Sequence, residues 1–363
     1  MRVLFCGGGT AGHVYPNLAI AETLLRNYPN IKLGYVTTEN GIENTLVDFE
    51  KFTIKAVGLN KRKPLSSGFN FTKTMILSIN ESKKIIKRFQ PDVIFGTGGY
   101  ATFPVVYAGH KQGIKTVLHE SNAVPGKAIK TLEKKADLIL VNYEETISYF
   151  SKKAKVKRVG NPVRGKFYSL EQSKAKKEKN LSSKQVVLSF GGSLGSPRIN
   201  DSMIEFIENY LRFEKSVFLF FITGKKDHLR VVSILKEKGL YNLSNISVSD
   251  YAYDMPTLVS CADVVVSRAG AMTISELSLS GKCSVLVPSP NVANNHQYKN
   301  AKIIAEKDGA ILITEDNLYK LTDLIKNLLA DETKRTELER SIKRFSVPDA
   351  NKTICNEIAG LIK

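Results

Sequence analysis

A glycine-rich turn near the start of the chain carries a histidine. Residues 2–6 are a short apolar run, and the turn after it spaces its glycines as G-x-G-x-x-G, at Gly7, Gly9 and Gly12. A strand, a glycine turn and a helix in this order present backbone N–H groups to an anion at the helix N-terminus. His13 directly follows the last glycine. Its imidazole therefore either acts as a general base beside an anion or only begins the helix.

Similar units of strand and turn recur along the chain and must position these groups. Short apolar runs bounded by glycine or polar residues predict further strands, with helical spacing between several of them. The predicted strands lie within 32–38, 91–100, 115–120, 138–141, 186–190, 217–224, 264–271 and 284–288. This alternation predicts an α/β protein with doubly wound parallel sheets, whose ligands bind beyond the carboxyl ends of the strands.

The pattern begins again in the second half of the chain, which indicates two domains. A lysine-rich stretch at 173–184 precedes the fresh strand at 186–190. We predict an N-terminal domain at 1–161 and a C-terminal domain at 162–345, facing an interdomain cleft lined by helix N-termini. The final segment, 346–363, has apolar residues at helical spacing and is expected to pack back toward the N-terminal domain.

The composition is that of a globular protein with a large positive charge. Of 363 residues, 42% are hydrophobic and 24% charged, and the formal net charge is +18. Nucleic acid, an anionic membrane surface and polyanionic small molecules are the partners that such a charge suits. The sequence has no recognition-helix motif and no aromatic and basic RNA platform, so we do not expect nucleic acid as a partner.

The cysteines and the apolar runs bear on the compartment. The four cysteines are scattered without C-x-x-C spacing, which predicts neither a disulfide framework nor a zinc site. A strand that begins at residue 2 leaves no room for a secretory signal, and no apolar run approaches the roughly 18 residues of a membrane span. We therefore expect a cytoplasmic protein.

A predicted helix between residues 71 and 88 combines apolar and basic side chains. Its apolar residues fall on a common face at helical spacing and are Phe71, Met75, Ile79 and Ile86. The basic residues that flank this face are Lys73, Lys83, Lys84, Lys87 and Arg88. Such a helix either buries its apolar face in a core or lies on an anionic membrane surface, and the pattern alone favours the core.

Two motifs in the second half suit a nucleotide diphosphate. The turn Gly191–Gly195 follows a strand and can bind phosphate, with a hydroxyl donor from Ser193. Glu276 lies in the first turns of a later helix, where its carboxylate either accepts ribose hydroxyls or complements the helix dipole. No Asp-x-Asp motif occurs in the chain, so we expect no metal on the diphosphate, and cations such as Arg164 to offset its charge.

Seven motifs run in order along nearly the whole chain. They are GGGTAGH, GTGGYATFP, HESNAVPG, VGNPVR, GGSLGSPRIN, SRAGAMTISE and PSPNVANNHQYKNA. Together they resemble the MurG family of peptidoglycan glycosyltransferases. The resemblance implies the GT-B fold of two Rossmann-like domains, with the donor at the C-terminal domain and the acceptor at the N-terminal one. It implies inverting transfer of N-acetylglucosamine from UDP-N-acetylglucosamine to the muramyl 4-hydroxyl of lipid I, giving lipid II for peptidoglycan synthesis.

The resemblance also implies which residues bind the two substrates. Donor contacts are expected from Thr10, Ala11, Gly12, Asn122, Arg164, Ser193, Ala252, Ala271, Met272, Thr273, Ile274, Ser275, Glu276 and Gln297. Contacts to the acceptor pyrophosphate are expected from Gly9, Thr10, Gly98, Gly99 and Tyr100. The chain departs from the family at Ala252, where a larger aliphatic residue is usual, and at Ala11, which replaces a glycine of some members and requires a negative φ.

Under this resemblance His13 is the preferred general base because of its position at the first turn. His119 and Glu120, at the end of another strand, are rivals, and Glu120 alternatively orients the loop that carries Asn122. Because the polyprenyl tail keeps lipid I in the bilayer, the resemblance also favours a membrane role for a patch on the basic helix. That patch comprises Phe71, Met75, Ile79, Lys83, Lys84, Ile86, Lys87 and Arg88.

The resemblance sets the expected partners and location. The partners are UDP-N-acetylglucosamine, lipid I, an anionic lipid surface and cell-wall synthesis proteins, with no cofactor and no metal. The expected location is the cytoplasmic face of the cell membrane, as a peripheral protein. On the residues alone a dinucleotide-dependent oxidoreductase also fits the first turn, with Glu39 as ribose partner, but it leaves His13 unexplained. Another GT-B UDP-sugar transferase fits the same motifs, and a non-catalytic membrane or nucleic-acid binder fits only the charge.

Overall fold

Strands and helices alternate along the chain. The computed structural model describes residues 1–55, 68–168, 170–192 and 195–362, without the side chains of residue 11 and residues 68–71. The strands are β1 (Arg2–Cys6), β2 (Lys32–Thr38), β3 (Glu50–Ile54), β4 (Val93–Gly96), β5 (Lys115–Glu120), β6 (Leu138–Val141), β7 (Val156–Arg158), β8 (Gln185–Phe190), β9 (Val217–Ile222), β10 (Ile246–Ser249), β11 (Val264–Ser267), β12 (Ser284–Leu286) and β13 (Ile311–Leu312).

Most of the helices lie between successive strands, as parallel pairing requires, and the last three follow β13. The helices are α1 (Ala11–Asn27), α2 (Glu43–Leu46), α3 (Gly68–Phe89), α4 (Thr102–Lys111), α5 (Lys127–Leu132), α6 (Gln172–Glu178), α7 (Pro197–Phe206), α8 (His228–Glu237), α9 (Met255–Cys261), α10 (Ala271–Ser280), α11 (His296–Ala305), α12 (Leu321–Ala330), α13 (Glu332–Lys343) and α14 (Ala350–Gly360). Short 3₁₀ or π turns lie between some of them, as at Glu144–Tyr149 and Ile207–Leu211.

The strands of the described residues form two parallel sheets. The first has seven strands in the order β3-β2-β1-β4-β5-β6-β7, and the second has six in the order β10-β9-β8-β11-β12-β13. Their central strands are mostly apolar and almost entirely buried, as parallel sheets covered by helices require. The prediction of an α/β fold with two doubly wound parallel sheets is therefore confirmed.

The two sheets belong to two compact units. One unit comprises residues 1–163 with 349–363, and the other comprises residues 164–348. The chain leaves the first unit two residues beyond the predicted boundary at residue 161 and returns to it with α14. There Ile354 and Ile358 are buried in the core of the first unit.

The Asn351 side chain joins this returning segment to Val163 by two hydrogen bonds. The Asn351 Oδ1 atom accepts a hydrogen bond from the Val163 N–H at 3.0 Å, and its Nδ2 atom donates to the Val163 carbonyl at 2.9 Å. Cys355 is buried beside α1, with its Sγ atom 3.9 Å from the Ile20 carbonyl oxygen. These contacts explain why the last helix belongs to the first unit although it follows the second in sequence.

Helix α3 corrects one part of the predicted membrane patch. Ile86 is 2% exposed and packs in the core with Phe89, Ile94 and Val105. Burial of this side chain against the sheet leaves it no surface to present to a bilayer, so its assignment to the patch was wrong. Ile79 packs against the same core while remaining partly exposed.

The outer side of α3 carries other apolar residues. Ile76 and Leu77 are 54% and 43% exposed. Met75 is half-buried, the basic residues Lys83, Lys84, Lys87 and Arg88 are exposed, and the Phe71 side chain lies outside the described part of the chain. Within the described ranges, no helix combines the length and the apolar composition that crossing a membrane requires.

Candidate functional site

Two glycine turns of the first unit meet at one point of its sheet. One turn joins β1 to α1, and the other joins β4 to α4. Strands β1 and β4 are neighbours, with Cys6 paired to Gly96 at their carboxyl ends. The strand order reverses at this pair, because β2 lies on the other side of β1 and β5 lies beyond β4. Such switch points are where open α/β sheets bind their ligands.

The two turns approach each other at distances that exclude side chains. A Cβ atom on Gly99 would lie 2.1 Å from the Gly8 carbonyl oxygen, and the φ of Gly99 is +78°. A Cβ atom on Gly98 would lie 3.1 Å from Cε1 of the His13 ring. The glycines predicted to meet a pyrophosphate are therefore those that let the turns pack together and leave space for the imidazole.

Replacing Gly99 with alanine is expected to destabilise the fold more than the same change at Gly113. Gly113 has φ +71° and nothing within 4 Å of an added Cβ, so Gly113→Ala measures the left-handed strain alone, about 1–2 kcal/mol. Gly99→Ala adds the collision with Gly8, about 1–3 kcal/mol more. Urea denaturation of the two variants measures the difference. Equal losses would mean that the turns separate without cost.

The remaining predicted residues of this turn lie at its mouth. Thr10 is the N-cap residue of α1 and is exposed, and its side chain makes no capping bond. Ala11 is the first residue of α1, where the helical backbone satisfies the negative φ that an alanine requires. Tyr100 is 39% exposed, and a Cβ atom on Gly9 would lie 3.7 Å from its ring. The structure thus brings the predicted pyrophosphate residues together around one helix N-terminus.

His13 lies in the first turn of α1, and its ring orientation is fixed by β4. Its Nδ1 atom is 2.9 Å from the Thr97 carbonyl oxygen. Because a carbonyl only accepts hydrogen bonds, Nδ1 must carry a proton, which makes Nε2 the basic nitrogen of the neutral ring. The ring is half-buried, so it faces the mouth of the turn rather than the core. This tautomer and position suit a general base.

The two rivals of His13, His119 and Glu120, are buried and hydrogen-bonded within the fold. His119 is fully buried, its Nε2 atom bonds the Gly160 carbonyl at 2.9 Å, and burial lowers its pKa to about 4. Glu120 is 4% exposed, and burial raises the pKa of its carboxyl group. Its Oε1 atom accepts from the backbone and side-chain N–H groups of Asn122 at 2.9 and 3.0 Å, and its Oε2 atom accepts from the Gly126 N–H at 2.7 Å. The carboxylate therefore orients the loop of Asn122.

A second pair of turns lies at the switch point of the other sheet. Strands β8 and β11 are neighbours there, and each ends in a turn that leads into a helix. Ser196 caps α7 by accepting a hydrogen bond from the Ile199 N–H at 3.4 Å. Ser193, predicted as a donor contact, lies outside the described residues. The predicted phosphate turn is thus placed before a capped helix N-terminus.

Arg268 connects three strand ends around this turn, a role that its motif alone does not reveal. The guanidinium donates to Ser196 Oγ at 2.6 Å, to the Val287 carbonyl at 3.2 Å and to the Glu315 carboxylate. Its side chain is 14% exposed, so it acts within the fold. An arginine directly after a buried strand is the signal that marks such a position.

Glu276 is the charged group of α10. Its side chain is 19% exposed, and its carboxylate lies 3.9 Å from the Arg164 guanidinium. Burial raises the pKa of Glu276 to about 7, and the positive charge of Arg164 opposes that shift. A carboxylate kept partly dry in this way gains strongly from ligand hydroxyl groups that donate to it.

The other predicted residues of α10 differ in what they expose. Met272, Thr273 and Ser275 are half-buried. Ile274 is 1% exposed and its N–H donates to the Gly270 carbonyl at 2.9 Å. The side chain and the N–H group of Ile274 are thus both used within the fold. Its assignment as a donor contact is corrected, because a helical side chain on the inner face cannot reach a ligand.

Two predicted donor residues lie in other loops of the second unit. Gln297 stands in the first turn of α11, and its Oε1 atom accepts from the Ser289 N–H at 2.8 Å. Because Oε1 faces this donor, Nε2 is the donor side of the amide. Ala252 is half-buried in the loop between β10 and α9. The rings of its sequence neighbours Tyr251 and Tyr253 pack edge to face, with their centroids 4.9 Å apart. Within the described residues, no group of three or more acidic, histidine or cysteine side chains is arranged to hold a metal.

Both halves of the chain match known protein families. Residues 3–141 match the Glycosyltransferase family 28 N-terminal domain, and residues 186–354 match the Glycosyltransferase family 28 C-terminal domain. Among solved structures, Acinetobacter baumannii MurG is 24% identical, covers 99% of both chains and has a TM-score of 0.77. A UDP-GlcNAc 2-epimerase from Neisseria meningitidis bound to UDP-GlcNAc is 16% identical, covers 99% of this chain and 100% of its own, and has a TM-score of 0.66. At these identities the likeness to both structures shows the fold.

Curated relatives are similar over the full length. The UDP-N-acetylglucosamine--N-acetylmuramyl-(pentapeptide) pyrophosphoryl-undecaprenol N-acetylglucosamine transferase of Bacillus cytotoxicus is 38% identical over 368 residues, which is 100% of both chains. A transferase of the same name from Thermoanaerobacter sp. is 35% identical over 362 residues, 98% of both chains. The chain therefore belongs to glycosyltransferase family 28 and, within it, to the MurG family that its seven motifs resemble.

Proposed function

We propose that this glycosyltransferase transfers N-acetylglucosamine from UDP-N-acetylglucosamine to the muramyl 4-hydroxyl of lipid I, giving lipid II. The observation that carries the proposal is identity of 38% over the whole length with a transferase named for this reaction. Two arrangements of side chains support it. His13 has the tautomer of a base, and Glu276 has the burial of a carboxylate that binds hydroxyl groups.

In the proposed reaction the first unit binds the acceptor and the second binds the donor. The acceptor pyrophosphate lies on the turns of Gly9, Thr10 and Gly98–Tyr100, where the N-terminus of α1 favours negative charge. Nε2 of His13 takes the proton of the 4-hydroxyl as its oxygen bonds to the anomeric carbon. The bond from that carbon to the UDP oxygen breaks on the opposite face, which inverts the configuration.

The donor is proposed to lie on α10 and the turns around it. Glu276 accepts the two ribose hydroxyls, and Arg164 beside it supplies positive charge near the departing diphosphate. Ala271, Met272, Thr273 and Ser275, together with Gln297, Ala252 and Ser193, complete the donor contacts of the second unit. From the first unit, Thr10, Ala11, Gly12 and Asn122 are proposed to approach the sugar. The reaction as written needs no metal and no cofactor.

We propose that α3 brings the enzyme to its membrane-held acceptor at the cytoplasmic face. Ile76 and Leu77 are the exposed apolar residues of this helix, and they replace Ile86 in the patch. Lys83, Lys84, Lys87 and Arg88 are exposed on the same helix and would attract anionic headgroups, at about 1 kcal/mol for each cation at the surface. The partners are thus an anionic lipid surface and lipid I, with cell-wall synthesis proteins as further candidates.

Charge reversal on α3 is expected to weaken membrane binding. Lys83→Glu with Lys84→Glu should lower the fraction that sediments with vesicles of anionic phospholipid by roughly tenfold or more, because each reversal removes attraction and adds repulsion. Reversal of Lys152 and Lys153, which are exposed in the same unit, keeps the same net charge and is the control. Equal loss in both pairs, or equal sedimentation with neutral vesicles, would refute a binding surface on α3.

The proposed reaction is tested by UDP release from UDP-N-acetylglucosamine, with and without a soluble lipid I analogue. Release that depends on the analogue, with a disaccharide product of inverted anomeric configuration, is the expected result. Thermal shift separates the other functions, since a ligand at 100 times its Kd stabilises by about 2.7 kcal/mol. Stabilisation by NAD but not UDP would favour the oxidoreductase, and UDP release to other acceptors would favour another UDP-sugar transferase.

A further inference from the structure

A buried polar cluster lies directly beneath the turn that carries His13. Its members are Asn17 on α1, Tyr35 on β2 and Thr97 after β4, and they are 0%, 0% and 3% exposed. They come from three separate segments of the chain, and none belongs to the substrate-binding residues described above. Polar groups held this dry are costly to leave without partners, at about 1–3 kcal/mol for each unmet buried group.

Thr97 contacts His13 twice, once with its backbone and once with its side chain. Its carbonyl oxygen accepts from Nδ1 of the ring at 2.9 Å, and its hydroxyl donates to the His13 carbonyl at 2.6 Å. The first contact sets the tautomer and the ring direction. The second fixes the backbone from which the ring extends. The two contacts together hold both the ring and the backbone of His13 in place.

Asn17 fixes the direction of both hydroxyl groups in the cluster. Its Nδ2 atom donates to the Tyr35 hydroxyl at 2.9 Å and to the Thr97 hydroxyl at 3.2 Å. Each hydroxyl must then donate its own proton elsewhere, and Tyr35 donates to the Gly7 carbonyl at 2.6 Å. The Asn17 Oδ1 atom is buried with no partner among the described residues, so the amide acts here through its donors. Burial raises the pKa of Tyr35, which keeps its hydroxyl protonated.

We propose that Thr97 is a positioning residue for His13, held in its bonding direction by Asn17, and that it sets the rate of proton transfer without touching substrate. The alternative for such a cluster is stability alone, as a tie between the ends of β1, β2 and β4. The inference rests on the proposal that His13 is the base. Its test therefore needs one readout that depends on catalysis and one that does not.

The catalytic test is a double-mutant cycle. Thr97→Val keeps the shape and removes the hydroxyl, and we expect kcat to fall by about 10- to 10²-fold with little change in the KM for UDP-N-acetylglucosamine. Thr97→Ser keeps the hydroxyl and should restore most of the rate. In a His13→Ala background, Thr97→Val should change kcat by less than about twofold, because the group that it positions is gone. The same fold-loss in both backgrounds would overturn the proposal.

A matched variant separates positioning from stability. Thr116 is fully buried in the same sheet, and its hydroxyl donates to the Lys135 carbonyl at 3.0 Å. Thr116→Val should lower the Tm about as much as Thr97→Val while leaving kcat unchanged. If both variants lose rate in proportion to their loss of stability, Thr97 has a structural role only and the proposal fails.

The second readout is the tautomer of His13, measured by two-dimensional NMR of protein labelled with ¹⁵N in its five histidines. The intact enzyme should give the Nδ1–H pattern for His13. Thr97→Val keeps the carbonyl that accepts from Nδ1 but releases the His13 backbone, so the ring should leave that carbonyl part of the time and its pattern should broaden or shift toward a mixture of tautomers. An unchanged His13 pattern in Thr97→Val would overturn the positioning role. Loss of the pattern together with normal turnover of His13→Ala would instead show that the histidine is positioned but is not the base.

Discussion

Replacing His13 with alanine should lower kcat by about 10²- to 10⁴-fold, the usual contribution of a general base. The 4-hydroxyl of a sugar is a weak nucleophile, and without a base its proton must leave to water as the new bond forms. The KM for UDP-N-acetylglucosamine should change little, because the proposed uridine and diphosphate contacts lie in the second unit. Initial rates of UDP release at saturating acceptor, over a range of donor concentrations, measure both parameters.

A histidine elsewhere in the same unit provides the control. His110 is exposed near the end of α4, and His110→Ala should leave both kcat and KM unchanged. Turnover of His13→Ala within a few-fold of the intact enzyme would place the base at another residue. His119 and Glu120 are poor replacements, because both are buried and their polar atoms are bonded within the fold. A rise in KM with kcat unchanged would assign His13 to donor binding instead.

The parts of the site that sequence predicts best are those set by local backbone geometry. A run of glycines after an apolar strand has few structural solutions. A Cβ on Gly99 would indeed collide with Gly8, and a Cβ on Gly98 would crowd the His13 ring. The alternation of strands and helices likewise fixes the parallel sheets and places these turns at their carboxyl ends. The spacing of the apolar residues predicts the strands and helices, and the glycines, which lack side chains, predict the close turns.

Side chains whose role depends on distant partners are not predictable in this way. Asn17 reads as a polar residue within a helix, yet it is buried because Tyr35 and Thr97 supply its partners from other strands. Ile86 illustrates the opposite error, since it shares a helical face with Met75 yet is buried in the core, whereas Met75 is only half-buried. A helix of 22 residues can change its surroundings along its length, and a single face need not have a single environment.

Replacing Glu276 with glutamine should stabilise the protein at pH 8 and leave its stability nearly unchanged at pH 4, below the ordinary pKa of the carboxyl group. The carboxyl pKa is raised from 4.5 to about 7 by burial, so the folded state retains a proton that the unfolded chain releases in this interval. Stability is therefore lost as pH rises from 4.5 through 7, by about 3 kcal/mol at most, and glutamine removes that loss. Urea denaturation at the two pH values measures it. Glu205→Gln, at an exposed position of α7, is the control and should show no such difference.

The same substitution should weaken donor binding, because the proposed role of the buried carboxylate is to bind the donor ribose. Ribose hydroxyls donate more strongly to a carboxylate than to an amide, so Glu276→Gln should raise the Kd for UDP-N-acetylglucosamine by roughly tenfold at pH 8. In the intact enzyme the affinity should fall as pH drops below about 7, because the diphosphate does not titrate there whereas Glu276 gains a proton. Glutamine should abolish that dependence. Titration calorimetry at pH 5.5 to 8 measures the affinity and its pH dependence in the intact enzyme and in Glu276→Gln. If the carboxylate is retained for its ligand, the substitution should stabilise the fold and weaken donor binding. Equal pH dependence of the affinity in the two proteins would show that Glu276 does not bind the ribose.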